Sequence, residues 1–209
     1  MKNIFISGSM RIKNINKAAL ERIENIIHEQ FTILVGDADG VDASIQQILE
    51  KKSYKNVKVY CTGDYPRNNI GKWELVTVQT DHKPKTRLYF TAKDIEMAKH
   101  CDYGLMIWDS KSTGTLSNVY QLLTFQKTSV VFVNKLRKFF NISSFEDFES
   151  LVSIMSNSAF EKANKKIKLK EKIISNKNIQ LSLFPEANKA NALGLPKAAP
   201  LRSAPSGSR

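Results

Sequence analysis

Between Asp102 and Asn118 the chain reads Asp-Tyr-Gly-Leu-Met-Ile-Trp-Asp-Ser-Lys-Ser-Thr-Gly-Thr-Leu-Ser-Asn. An apolar run, Leu105 to Trp108, stops at Asp109, and a small polar turn follows. Apolar residues then return at helical spacing: Leu116, Val119, Leu122 and Leu123. Strand, polar turn and helix leave backbone N–H groups pointing at whatever occupies the turn, with the positive end of a helix dipole behind them. The residue types suit a phosphorylated sugar. Thr113 and Thr115 offer hydroxyls, and Gly114 lets the backbone come close. Lys111 brings charge, and Asn118 can orient a ligand. Asp109, at the strand's carboxyl end, can accept from sugar hydroxyls and is the best-placed catalytic candidate.

Two further turns carry the same kind of residue. Gly8-Ser9-Met10-Arg11 follows the strand of residues 3–7. Gly36-Asp37-Ala38-Asp39-Gly40-Val41-Asp42 follows Phe31 to Val35. In a parallel sheet all strand-to-helix turns lie on one edge, so the three can converge on one ligand. The expected binding set is therefore Gly8, Ser9, Arg11, Gly36, Asp37, Asp39, Gly40, Asp109, Lys111, Thr113, Gly114, Thr115 and Asn118. Asp37, Asp39 and Asp109 would repel a phosphate unless Arg11, Arg67 or Lys111 offset them. The phosphate is thus expected near the Gly/Thr turns and a ribose near an aspartate. The bland alternatives are glycines serving tight turns, Thr113 or Thr115 as an N-cap, and Asp42 as a dipole-favoured charge in a first helical turn. Glu74 and Asp94 are secondary catalytic candidates, with a solvent-facing and a capping role as their alternatives. His28, His82 and His100 have no partners nearby in sequence and read as surface residues. No cofactor and no metal site is expected: Cys61 and Cys101 lack metal-motif spacing and read as buried free thiols.

The elements that must hold these turns alternate. Strands are expected at 3–7, 31–35, 56–61, 73–78 (an edge), 105–108 and 129–133. Helices are expected to carry Ala19 to Ile27, Val41 to Leu49, a stretch opening at Thr91 with Asp94 closing a capping box, and Leu116 to Leu123. Residues 62–71 and 81–87 read as loops. The pattern implies an α/β fold: a three-layer Rossmann-like parallel sheet with helices on both faces, plus a basic C-terminal tail. Ser143 or Ser144 caps a short helix carrying Phe145, Phe148 and Leu151. The expected organisation is a nucleotide-binding domain at 1–152, a lysine-rich helix or linker at 153–179, a short peptide at 180–184, and a disordered tail or cloning remnant at 185–209.

Of 209 residues, 42% are hydrophobic and 25% charged, which is ordinary globular composition. No apolar run spans a bilayer, the start turns polar too early for a signal peptide, and a reducing cytoplasm fits. The net charge of +12 is uneven. Through Val152 there are 21 Lys and Arg against 17 Asp and Glu, so +4; from Ser153 there are 11 against 3, so +8. Such a tail can attract nucleic acid non-specifically or simply stay solvated.

The segments Phe5-Ile-Ser-Gly-Ser9, Gly36 to Asp42 and Asp109 to Asn118 resemble the SLOG superfamily, in particular its small branch related to YspA. That group includes the Lonely Guy phosphoribohydrolases and the DNA-processing protein DprA. The resemblance covers about residues 1–135. It implies nucleotide or nucleoside binding at this edge, a bacterial or phage setting, and pairing into a homodimer. It would also allow an enzyme of the phosphoribohydrolase or deoxyribosyltransferase type, cleaving or transferring at an N-glycosidic bond. Two departures count against cleavage. The glutamate those enzymes carry three residues after Gly-Thr is Asn118 here, which cannot act as a carboxylate nucleophile. The arginine of the related Gly-Ser-Arg turn is displaced to Arg11. Further along, Gln180, Leu181, Ser182, Leu183 and Phe184 resemble the pentapeptide by which bacterial polymerases and repair proteins dock on the sliding clamp. The combined expectation is a nucleotide-binding sensor or adaptor linked to DNA replication or repair.

Overall fold

The computed structural model describes the backbone of residues 1–183 and side chains through residue 176. The peptide beginning at Gln180 therefore has no described side chains, and Phe184 and the segment 185–209 lie outside the described residues. Seven strands form one sheet: β1 (Asn3–Gly8), β2 (Thr32–Gly36), β3 (Val57–Thr62), β4 (Glu74–Val78), β5 (Tyr103–Trp108), β6 (Ser129–Val133) and β7 (Lys138–Ile142). Their order across the sheet is β4-β3-β2-β1-β5-β6-β7. All pairings are parallel except the last, β6 with β7.

The central strands form where the sequence is apolar on both faces, as strands covered by helices on each side must be. Ile4, Ile6, Ile33, Val35, Val57, Val59, Leu105 and Ile107 join one core with α1 (Lys17–His28) and α2 (Val41–Lys51). The intervening Phe5, Leu34 and Met106 are buried from the opposite side. There α3 (Arg87–His100) packs against β1 to β4, and α4 (Thr113–Thr124) against β1 and β5. The fold is thus the expected three-layer α/β arrangement. The chain leaves β1 toward β2 on one side, while β5 docks on its other side. The topological switch point lies between the carboxyl ends of β1 and β5.

Three expectations need correction. The helix assigned to Thr91 starts a turn earlier. Thr86 is its N-cap, accepting from the Tyr89 amide at 3.3 Å, while Thr91 donates back to the Leu88 carbonyl inside the helix. Asp94 is therefore mid-helix and caps nothing. The N-cap of α4 is Ser112, accepting from the Thr115 amide, so neither Thr113 nor Thr115 caps it. The strand β7 was not expected. It closes a hairpin through residues 134–137, with Arg137 at φ 52°, and its Phe139 lies 4.9 Å from Phe132.

Ser144 caps α5 (Phe145–Val152) with a full capping box to Asp147. A sixth helix, α6 (Asn157–Ile167), packs on α4, and Lys168 breaks it in the left-handed conformation. The last helix among the described residues, α7, spans Leu169–Leu183. The first compact unit runs Met1–Lys170 and so includes α6; a second begins at Glu171. Among the described residues no helix is long and apolar enough to cross a membrane.

Candidate functional site

The β1 and β5 turns are stapled together at the switch point. Buried Ser9 donates from its hydroxyl to Asp109 Oδ1 at 3.0 Å and accepts from the Asp109 amide at 3.0 Å. Its own amide bonds the Ile107 carbonyl. Asp109 Oδ1 also accepts from the amides of Lys111 and Ser112, at 2.9 and 2.6 Å. Ser110 is thereby held at φ 64°. One oxygen of Asp109 is spent on building the turn; Oδ2 has no partner among the described residues. Gly8 is a packing requirement here: a Cβ would meet the Ile107 carbonyl and Val41.

The β2 turn is organised by ion pairs. Buried Asp37 accepts from Arg67 at Nε (3.0 Å), Nη2 (2.6 Å) and the backbone N–H (3.0 Å). This pins the β3–β4 loop onto the β2 turn. Arg67 also lies over the Phe90 ring at 4.7 Å. Lys93 rises from the sheet-facing side of α3 into the same spot, 3% exposed. Its Nζ is 2.7 Å from Asp94, 3.8 Å from Asp37 and 4.0 Å from Asp42. Gly36 makes the room, since a Cβ there would run into Asp42 and Lys93. Gly40 is the N-cap of α2 at φ 78°, against the Met10 backbone.

Burial and pairing set the charges. Burial works to raise the Asp37 carboxyl, but the Arg67 hydrogen bonds and the nearby cations outweigh it and hold it below the usual range. Burial pushes Asp42 up to about 6, against the pull of Lys93. Burial works to lower the Lys93 ammonium, and the surrounding aspartates more than offset it. Ser7 donates to Asp42 at 3.3 Å and accepts from the Asn118 amide at 3.4 Å, so a polar chain runs from α4 to the ion cluster.

A pocket of about 850 Å³ opens over this edge. Of the expected site residues it is lined by Gly8, Arg11, Asp109, Lys111, Thr113, Gly114, Thr115 and Asn118. Gly36, Asp37, Asp39 and Gly40 are not in its wall, though Asp42 and Ala38 of the same turn are. Asp39 is exposed and meets Asn68 at 3.3 Å. Ser9 lies beneath the surface as the staple. Of the secondary candidates, Asp94 lines the pocket, whereas Glu74 is exposed and paired with Lys58 at 2.8 Å.

Sequence reasoning missed Arg87, Lys93, Phe90 and the wall that α6 provides. Arg87 donates to Thr113 Oγ1 at 3.2 Å, and burial lowers its pKa, with Asp94 opposing. Among the described residues, Arg11, Arg87, Lys111, Lys162 and Lys166 have no carboxylate within salt-bridge distance, although all line the pocket. Lys93 gave a weak signal: a charged residue between Phe90 and Met97 interrupts an apolar helix face, which on a helix against a sheet demands buried partners. Among the described residues no group of His, Cys, Asp and Glu is placed to hold a metal ion. Chemically the pocket can hold an anion at the α4 N-terminus, with carboxylates nearby as hydrogen-bond acceptors.

No family model and no curated protein matches the sequence. Solved structures of similar fold include two DNA-processing proteins. DNA processing protein A from Helicobacter pylori, solved for its single-stranded DNA binding mode, shares 17% identity at a TM-score of 0.51, over 80% of each chain. DprA from Streptococcus pneumoniae shares 14% identity at a TM-score of 0.49, over 76% of this chain and 60% of its own. The likeness is one of fold.

Proposed function

We propose that this chain is a SLOG-type domain that binds a nucleotide or nucleoside derivative, its phosphate on the N-terminus of α4. The carrying observation is that Arg87, Lys111 and Arg11, none paired with a carboxylate among the described residues, line the same pocket as Thr113 and Gly114 of the first turn of α4. Anions gather where helix N–H groups, a dipole and unneutralised cations coincide. Asp109 Oδ2 then accepts from a sugar hydroxyl, and the neutral Asn118 avoids repelling the phosphate. The binding of single-stranded DNA by the similar Helicobacter protein supports a nucleic-acid-derived ligand and a DNA-associated role.

The test is a calorimetric titration with a nucleoside and its 5′-monophosphate. The monophosphate is expected to bind tighter, and Arg87→Ala to remove about 1.5–3 kcal/mol of that advantage, the worth of a hydrogen bond to a charged group. Equal affinity for the two ligands would overturn the reading. Cleavage of an N-glycosidic bond is the second reading, favoured by Asp42 and Asp94 in the pocket wall. Chromatography of the same mixtures decides it: a free base released over time makes the chain an enzyme.

We also read Gln180 to Phe184 as a sliding-clamp peptide, from sequence alone. Clamp affinity is expected to vanish in Leu183→Ala/Phe184→Ala; unchanged affinity would sink that assignment.

A further inference from the structure

The wall contributed by α6 has a pattern of its own. Ser158, Lys162 and Lys166 recur every four residues and all line the pocket, while Ala159 and Ala163 are buried. Residues four apart on a helix stand one above another, about 5–6 Å apart. The helix is oriented by its buried face: Ala159, Ala163 and Ile167 are all buried, and α6 packs on α4. Its one described ion pair, Glu161 with Lys170, does not involve Lys162 or Lys166. The pocket therefore has cations in two places. Arg87 and Lys111 attend the α4 N-terminus; Lys162 and Lys166 form a separate row on α6. A single phosphate at α4 uses the first and leaves the second unneutralised beside it.

We propose that the α6 row is a second phosphate subsite, so that the pocket selects ligands carrying phosphate beyond the group held at α4. This rests on the nucleotide reading above. The shared chemistry is a phosphate chain, and its source is either a short single strand or a nucleoside polyphosphate. Ser158 extends the row with a hydroxyl donor.

The full chain is titrated with a 5′-mononucleotide, the matching nucleoside triphosphate and a trinucleotide of the same base. The variants are Lys162→Ala/Lys166→Ala and, as an exposed control on the same helix outside the pocket, Lys165→Ala. The wild type is expected to prefer at least one of the longer ligands over the mononucleotide. The double variant should reduce that ratio about tenfold and flatten the salt dependence for that ligand, by about 1.4 in the log–log slope for two lost contacts to a single strand. Lys165→Ala should leave the ratio unchanged. A lysine-dependent gain for the triphosphate alone identifies a polyphosphate; a gain for the trinucleotide identifies a strand. A mononucleotide that binds with no lysine-dependent gain for either longer ligand overturns this proposal and leaves the nucleotide reading intact. Failure of all three ligands to bind overturns both.

Discussion

At the scale of single residues, the chain's most consequential side chain is Lys93. It is one buried cation facing Asp94, Asp42 and Asp37. Removing one partner from such a cluster leaves charge uncompensated in a low-dielectric place. Lys93→Met is therefore expected to cost about 3–5 kcal/mol in denaturant unfolding. The double variant with Asp42→Asn should recover part of that loss, a coupling that independent sites would not give. Asp42 also sets a pH dependence. Its folded pKa, about 6, lies above the unfolded value near 4, so the native state binds the extra proton between them. Measured against Asp42→Asn, the wild type should lose stability as pH rises from about 4 through 6. Asp37, held low, works the other way and contributes stability that is lost on acidification. A flat difference between the two melting curves across that range would refute the assignment to Asp42. Little of this was legible in the sequence. Asp37 stood out at the end of an apolar run, and Arg67 could be named as an offsetting cation. Lys93 lies far from Asp37 and Asp42 in sequence, so only the packing of α3 across the sheet brings the three together.

At the scale of elements, the glycines at the end of β1 and the start of α4 separate packing from function. A Cβ on Gly114 would meet nothing closer than Ser112 Oγ at 3.9 Å. Gly114→Ala should thus raise stability by about 0.4–1 kcal/mol through the unfolded state. A larger side chain there, as in Gly114→Leu, should preserve the fold while blocking the ligand. Gly8→Ala, by contrast, forces a Cβ against the Ile107 carbonyl and Val41 and should cost about 1–3 kcal/mol. Thermal unfolding of the variants checks both signs. The central strands and the first helices could be read from apolar periodicity, because isoleucine, leucine and valine dominate their core faces despite buried Asp42, Ser44 and Gln46 in α2. Two elements could not. The start of α3 was masked because a lysine occupies its buried face and its cap, Thr86, precedes an Arg-Leu-Tyr-Phe run with no acidic partner. The strand β7, Lys-Phe-Phe-Asn-Ile, sits at an antiparallel edge, where only Ile142 is fully buried and alternation is weak.

At the scale of the whole molecule, charge is divided between a nearly balanced sheet domain and a basic end. Residues 185–209 hold four of the basic side chains, Lys189, Lys197, Arg202 and Arg209, against Glu186. If these make non-specific strand contacts, deleting them should flatten the salt dependence of oligonucleotide binding by roughly 3 in the log–log slope. Mononucleotide affinity, set in the pocket, should stay the same. The pocket itself is lined from β1, α2, α3, α4, α6 and the turn that follows β5, all within the first compact unit. The measurement closest to the central claim follows backbone amide chemical shifts of the full chain while a 5′-mononucleotide is added. The account predicts that the Thr113, Gly114 and Thr115 amides move most and saturate with the calorimetric affinity. Shifts confined to the lysine-rich end, with those three amides still, would contradict it.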